Sequence, residues 1–445
     1  MLIDTFFMVV RWPYLPMMEA VERYDIYDWV LVVYVHEIPY YVNQSDAIVR
    51  DIVEAAVRGR VAVLLIREAV RQVMEPLPAG GLPAGAVVDP GRRAPVNYYR
   101  LTVSEVQYDV RGVPGLVEVS GDGVEVSGEG RYAGRDGWRH AFRATFPRVR
   151  ARRRMLVSFS HGAAFGINVD MEGLMRGDLS ILWSDDLAAE LTSCLGGQPI
   201  DVLLLNNCYM QCFETGYALR DQVRFFVAAE GALGAIGYDY TGLMKRLLER
   251  PGDDNEALVK GIIADYCAVI SRGEQAGQAV FANRADEYGH AMVLIERLTA
   301  ILVERIDQVI DVLADIRENR LLYVSAPLNG YTSNYLCMID LFAWAGMVFE
   351  RLGGLFGGSG LAAELVALRR RMVVAGEGGE GFIGHDAEGG ADGRAGVMGM
   401  PIYGYSGLAI FYPRAVDWPT LRPIPRSVRL VGPWKRFLEA YYGRR

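Results

Sequence analysis

Residues 201–217 read "DVLLLNNCYMQCFETGY": a short apolar run, two asparagines, a cysteine, then a segment of helical pattern. Valine and leucine without polar alternation mark a strand covered on both faces. A thiol placed where such a strand gives way to a helix meets unpaired backbone N–H groups and the positive end of the helix dipole. Both favour a thiolate. A free cysteine is also among the most commonly buried small residues, so position alone leaves a structural and a chemical role open for Cys208.

The neighbouring sequence repeats the pattern. "WVLVVYV" (29–35) is a second continuous apolar run, and "SDAIVRDIVEAAVRG" (45–59) after it has helical period, with Ser45 as N-cap and Gly59 as stop. "VAVLLI" (61–66) follows as another buried strand. Strand, helix and strand within about 40 residues form a βαβ unit, which implies a parallel sheet. "PLPAGGLPAGAVVDPGRRAP" (76–95) reads as a loop, and "LVEVSGDGVEVSGEG" (116–130) alternates around glycine turns as a hairpin within residues 98–133, an excursion beside the sheet. The parallel rhythm returns at "RRMLVSFS" (153–160), "DVLLLN" (201–206) and "RFFVAAEG" (224–231). Residues 255–318 read as mostly helical, with 291–319 as one long amphipathic helix. A further helix at 335–354, a glycine-rich loop at 376–396 and a last strand "GLAIFYP" (407–413) complete the chain.

With 445 residues, 51% hydrophobic and 22% charged, there is ample material for a core and no signature of disorder. A net charge of −8 argues against nucleic acid or an anionic membrane as the main partner, since both select basic surfaces. Local basic runs such as "RVRARRR" (148–154) read as solvated surface. Five cysteines, at 194, 208, 212, 267 and 337, describe neither a disulfide framework nor a zinc site, so no metal and no cofactor are expected. The glycine tracts lack the strand-to-helix setting and the lysine of a phosphate loop. No apolar run reaches the roughly 18 residues of a membrane span. The apolar N-terminus is interrupted by Asp4 and Arg11 and lacks a basic leader, so cytoplasmic and secreted locations both stay open.

Two strand ends carry groups able to do chemistry. His161 and Gly162 follow "MLVSFS", and Cys208 follows "DVLLLNN", 47 residues beyond the histidine. One crossover helix fits that separation, so both residues are expected at the carboxyl edge of the sheet, where open α/β sheets bind ligands. Thiol and imidazole within reach of each other are the minimum for acyl transfer through a thioester. A histidine about 50 residues before a cysteine is also the caspase order.

These residues carry a resemblance. The chain is similar to the clostripain-like cysteine peptidases, relatives of caspases, gingipains and legumains. Cys208, Met210, Glu214, Tyr217 and Leu219 stand at the steps of that family's cysteine motif, Glu230 ends its following strand, and "GYDY" (237–240) matches its turn. The likeness runs from about 28 to 413. It implies a caspase-like three-layer α/β/α sandwich with a mostly parallel central sheet, a β-hairpin excursion and a helical C-terminal addition. Residues 1–27 would be an extension, 28–250 the catalytic core and 251–445 the added part packed upon it. It also implies a cysteine endopeptidase acting on a peptide or protein substrate, with Cys208 as nucleophile, His161 as its partner and the N–H groups of Gly162 and Cys208 as oxyanion donors. Self-processing between His161 and Cys208 would fall after Arg176. Ser160, Asn206, Asn207 and Ala229 depart from the family pattern. Neutral Asn206 takes the place of an aspartate that lines the substrate pocket, which puts a preference for basic residues in doubt unless Asp239 supplies the charge. The same departures motivate the alternative of a silent relative that binds peptides or scaffolds a partner.

Overall fold

The computed structural model describes residues 26–36, 42–57, 60–76, 93–119, 124–126, 134–162, 166–169, 181–231, 233, 237–269, 279–320, 338–376, 405–415, 418 and 432–444. The first 25 residues, the 377–404 segment and Arg176 lie outside them, so the readings of an N-terminal extension, of most of the glycine-rich loop and of the cleavage position have no structural counterpart here.

The strands, in chain order, are β1 (Tyr27–His36), β2 (Val61–Pro76), β3 (Arg93–Tyr108), β4 (Pro114–Glu118), β5 (Val124–Val126), β6 (Ala151–Phe159), β7 (Gly166–Val169), β8 (Ile181–Trp183), β9 (Ile200–Asn206), β10 (Val223–Ala229), β11 (Val280–Arg284), β12 (Met338–Asp340), β13 (Val373–Gly376) and β14 (Ala409–Phe411). Ten of them form one sheet, ordered β13-β11-β10-β9-β6-β1-β2-β3-β4, with β5 also on β3. Its centre, from β10 to β2, is parallel; β11 and β13 on one side and β3, β4 and β5 on the other are antiparallel.

The apolar runs explain the parallel centre. In β1, Trp29, Leu31, Val33 and Val35 enter one core layer while Val30, Val32 and Tyr34 enter the other. Val202 and Leu204 of β9 divide from Leu203 and Leu205 in the same way. Alternate residues thus meet different helical layers, and polar side chains are left to the strand ends, as with Asp201 and Asn206 of β9. One layer includes helices α1 (Val42–Glu54), α5 (Tyr240–Glu249) and α6 (Asn255–Val269); the other includes α2 (Gly134–Thr145) and α3 (Ser184–Leu195). The short α4 (Phe213–Leu219) bridges to a third cluster, built by α7 (Glu287–Glu304), α8 (Ile306–Asp315), α9 (Leu341–Leu352), α10 (Leu361–Met372) and α11 (Gly432–Tyr442) around the β12–β14 ribbon. The expected three-layer α/β/α sandwich is the observed fold.

Local details differ from the sequence reading. The expected excursion at 98–133 is not set beside the sheet: β2 runs on to Pro76 and pairs with β3 along its length, so β3, β4 and β5 extend the sheet itself. "VFANR" (280–284), read as part of a helical region, is strand β11, because it finds β10 and β13 as partners. The long helix expected over 291–319 is interrupted at Arg305, where the backbone leaves the helical range at φ −112°, ψ 21°. The strand "GLAIFYP" leaves the main sheet and pairs with Met338–Asp340, the start of what reads as one helix from 335. Among the described residues, no helix is long and apolar enough to cross a membrane.

Candidate active site

β6 and β9 are parallel neighbours, and their register ends on the pair Phe159–Asn206. His161 and Cys208 each stand two residues beyond that pair, so the topology brings both to one carboxyl edge. The order of strands reverses between β1 and β6, the kind of switch point at which open sheets form crevices.

The histidine arm is held by its neighbour in the sheet. Asn207 Nδ2 donates to Ser160 Oγ at 2.6 Å and to the His161 carbonyl at 3.3 Å, and Ser160 Oγ donates to the same carbonyl at 3.1 Å. Gly162 then lies directly on the cysteine turn. A Cβ there would stand 2.2 Å from the Cys208 carbonyl oxygen and 2.9 Å from Met210 Cγ, so no side chain fits without moving one strand end. The backbones of His161–Gly162 and Asn207–Cys208 are therefore in contact.

Cys208 does not stand at the head of a helix as the sequence suggests. Helix α4 begins at Phe213, with Cys212 at its N-cap. The residues between are spent on a turn that continues pairing with β10: the Tyr209 N–H donates to the Gly231 carbonyl at 2.8 Å and the Gln211 N–H to Ala229 at 2.9 Å. Tyr209 takes φ 60°, and it is the one non-glycine residue with positive φ among the described residues. A left-handed tyrosine costs roughly 1–2 kcal/mol, tolerated here because bonds on both sides fix the turn. The helix dipole is thus too far away to activate the thiol.

What surrounds the sulfur is a backbone segment. The Leu233 N–H donates to Cys208 Sγ at 3.3 Å, and Sγ lies 3.6 Å from the Leu233 carbonyl as donor. Burial pushes the Cys208 thiol up, with the Leu233 amide acting in the opposite direction. The resting thiol is consequently neutral, and a base must take its proton when it reacts.

Asn206 is buried, donating from Nδ2 to the Tyr240 hydroxyl at 2.9 Å. Gly237, at φ 63°, closes on it so tightly that a Cβ would approach Asn206 Nδ2 to 2.1 Å. Asp239 caps helix α5, its carboxylate accepting from the Gly242 N–H at 2.8 Å. Its charge also acts on Arg246, whose guanidinium is held up chiefly by Asp265. Both residues named as pocket candidates therefore have partners within the protein.

Sequence reasoning gave no structural role to the residues that hold the arms: Asn207 and Glu214, noted only as a departure and a motif match, and Leu233 and Tyr240; the buried Glu214 carboxylate accepts the Phe411 N–H at 2.9 Å. Desolvation pushes Glu214 up to about 7. A buried motif glutamate six residues after the cysteine was the signal for Glu214. Among the described residues, no group of three or more His, Cys, Asp or Glu could hold a metal ion.

The strand order and the paired arms define an α/β sandwich bearing a cysteine and a histidine at one sheet edge. Residues 139–337 match the family model of the clostripain family, a stretch that includes both arms. Among solved structures, the chain is similar to an inactive zymogen C11 protease from Parabacteroides distasonis at 14% identity and TM-score 0.58, covering 96% of this chain and 99% of that one. It is also similar to the secreted C11 cysteine protease iotapain from Bacteroides thetaiotaomicron, at 12% identity and TM-score 0.59, covering 91% and 99%. A secreted C11 cysteine protease from the same organism, solved in complex with an irreversible peptide inhibitor, aligns at 14% identity and TM-score 0.57, covering 92% and 99%. A search of curated protein sequences finds no match. The chain thus has the fold of the C11 proteases, and its residues 139–337 resemble the clostripain family.

Proposed function

We propose that this protein cleaves peptide bonds through a thioester on Cys208, with His161 as proton carrier. The observation that supports it most is the contact of two strand ends: His161 and Cys208 stand at equivalent positions past the Phe159–Asn206 pair, and Asn207 ties one to the other. In the proposed sequence the thiol proton passes to His161 as Sγ attacks the scissile carbonyl. The imidazolium then protonates the leaving amine, and water hydrolyses the thioester. The N–H groups of Gly162 and Cys208 serve the oxyanion, a contribution of about 3 kcal/mol per donor in comparable sites. The peptide inhibitor bound by one similar protease supports a peptide as substrate.

Asn206 and Asp239 border the pocket for the residue before the cut. Asn206 brings no charge, and Asp239 spends its carboxylate on the helix cap, so a basic side chain gains little there. Arg176 is the proposed position of self-cleavage.

The test is Cys208→Ala, profiled with the wild type against a peptide library. Cleavage by the wild type and none by the variant is expected, and activity that survives the substitution removes the assignment. Intact mass of the same two proteins decides self-processing: two fragments for the wild type and one chain for the variant. A second reading, a silent peptide-binding relative, draws on the contact of Leu233 with the sulfur. It predicts no cleavage by either protein and no modification of Cys208 by a thiol-reactive peptide.

A further inference from the structure

Behind the cysteine turn lies a pair of buried carboxyl groups that the proposed chemistry does not use. Glu230 follows the last residue of β10, and Asp340 caps helix α9; both are buried. Asp340 accepts three bonds, from the Ala343 N–H at 2.6 Å, the Ser406 N–H at 2.5 Å and the Ser406 hydroxyl at 2.5 Å. Burial pushes Asp340 up, and these donors oppose that shift by favouring its ionised form. Glu230 Oε2 accepts the Gly407 N–H at 2.9 Å, while Oε1 is enclosed and has no N–H or O–H donor among the described residues. The two carboxyl groups grip adjacent backbone N–H groups, those of Ser406 and Gly407, which sets them side by side, and a bond between two such groups needs a proton.

The groups facing the pair leave the proton on Glu230. Burial pushes Glu230 well up and the Asp340 charge adds to it; Arg369, whose guanidinium donates to the Ser406 carbonyl at 3.0 Å, opposes this weakly. Among the described residues the phenols of Tyr405 and Tyr288 also face Glu230, both pushed up by burial and therefore neutral.

What the pair grips leads to the thiol. Ser406 is held by Asp340 and Gly407 by Glu230. Two residues on, the Ala409 N–H donates to the Gln211 carbonyl at 2.9 Å. The residue after Glu230 is Gly231, whose carbonyl receives the Tyr209 N–H, and Tyr405 packs over Gly231 so closely that a Cβ there would meet its hydroxyl at 3.0 Å. The turn 208–211 is thus clamped between two backbone segments, each anchored by one member of the pair.

We infer that Glu230 and Asp340 are a positioning pair for the cysteine turn, which they hold in place only while they share one proton. Removing that proton leaves two buried carboxylates in contact, which drives Ser406–Gly407 away and frees Tyr209 and Cys208 from their clamp. The link to catalysis rests on the peptidase reading; the link to the fold does not.

Glu230→Gln tests it, because glutamine donates to Asp340 and accepts from Gly407 without ionising. Melting temperature is followed from about pH 5 to pH 10 in a Cys208→Ala background, which rules out self-cleavage. The wild-type pair is expected to lose stability as pH rises through the Glu230 titration, and Glu230→Gln to lack that component. Any other titration remains in both proteins, so the difference between them is the readout. In the active protein, kcat should fall about tenfold per pH unit on the alkaline side, with KM little changed; Glu230→Gln should move that limb upward at near-wild-type kcat, whereas Glu230→Ala, which cannot ionise either but leaves the Gly407 N–H and Asp340 without their partner, should lower kcat at every pH. Parallel stability profiles for wild type and Glu230→Gln overturn the proposal. Should both variants fail to fold, amide exchange of the wild type decides: opening of Tyr209, Gly407 and Ala409 together at alkaline pH supports it, and opening confined to exposed turns overturns it. A flattened stability profile with peptide cleavage intact in Cys208→Ala leaves the pair standing and removes the peptidase assignment instead.

Discussion

The two arms of the site are built differently. His161 is fixed locally: its carbonyl and the preceding serine are bound by Asn207 of the adjacent strand, and Gly162 rests on the same turn. Cys208 is fixed from a distance. Its turn bonds to Gly231 and Ala229 at the end of β10, to Ala409 of β14, and through the buried Glu214 to Phe411. The histidine arm is tied to the parallel sheet and, through the Gly162–Ile167 bridge, to β7, whereas the cysteine arm depends on the packing of the C-terminal helices. Damage to that packing should reach the thiol before it reaches the imidazole.

The sharpest way to break the histidine arm is Gly162→Ala. The added methyl would meet the Cys208 carbonyl at 2.2 Å, so one strand end must shift by about an ångström. Displacement of that size at reacting groups costs about 10²-fold in kcat/KM. The expected signature is near-normal KM with collapsed kcat, while the melting temperature falls far less than for a core truncation. Unchanged turnover in the alanine variant would mean that the two arms are not in contact in solution.

The cysteine arm has a different weakness, its buried acid. Burial pushes Glu214 up to about 7 from an ordinary value of 4.5. Its folded form therefore binds a proton more tightly than the unfolded chain does. Stability from this group is complete below the unfolded value and is lost as pH rises through about 7. The difference between pH 5 and pH 8 is about 2–3 kcal/mol. Glu214→Gln keeps an acceptor for the Phe411 N–H and cannot ionise, so urea unfolding of this variant should lose that share of the pH dependence. An identical slope in both proteins would place the titration elsewhere.

The same contrast explains what could be read from sequence. Strands β1, β6 and β9 announce themselves because their central residues enter one of two cores in alternation, leaving short apolar runs. Their shared direction follows from the crossover lengths, and with it the meeting of His161 and Cys208 at one edge. The turn after Cys208 was not legible. Its path is dictated by Gly231, 22 residues beyond its partner Tyr209, and by Ala409, 198 beyond its partner Gln211, and "YMQC" has no local pattern that reports a left-handed Tyr209. Strands β11 and β12 are equally silent: five and three residues long, they are strands only because others lie beside them. The departures from the family pattern were visible, but their consequences were not. Asn207 proves to be the tie between the arms, a role that its chemistry permits and its position in the sequence does not announce.

The smallest effect expected concerns Asp239, and it separates a charge that faces substrate from one that caps a helix. Asparagine caps helices about as well as aspartate, whereas alanine costs roughly 1 kcal/mol. Asp239→Asn should therefore leave the melting temperature nearly unchanged, and Asp239→Ala should lower it slightly. Since the carboxylate already accepts from Gly242 and its charge also acts on Arg246, little of its field is left for a substrate cation. The ratio of kcat/KM for substrates with arginine and with a neutral residue before the cut should then differ by less than about threefold between Asp239→Asn and the wild type, under 1 kcal/mol of discrimination. A selective loss of tenfold or more for the arginine substrate, at unchanged stability, would show the opposite: that Asp239 reaches the pocket despite its cap, and that the cysteine arm carries a specificity charge that Asn206 lacks.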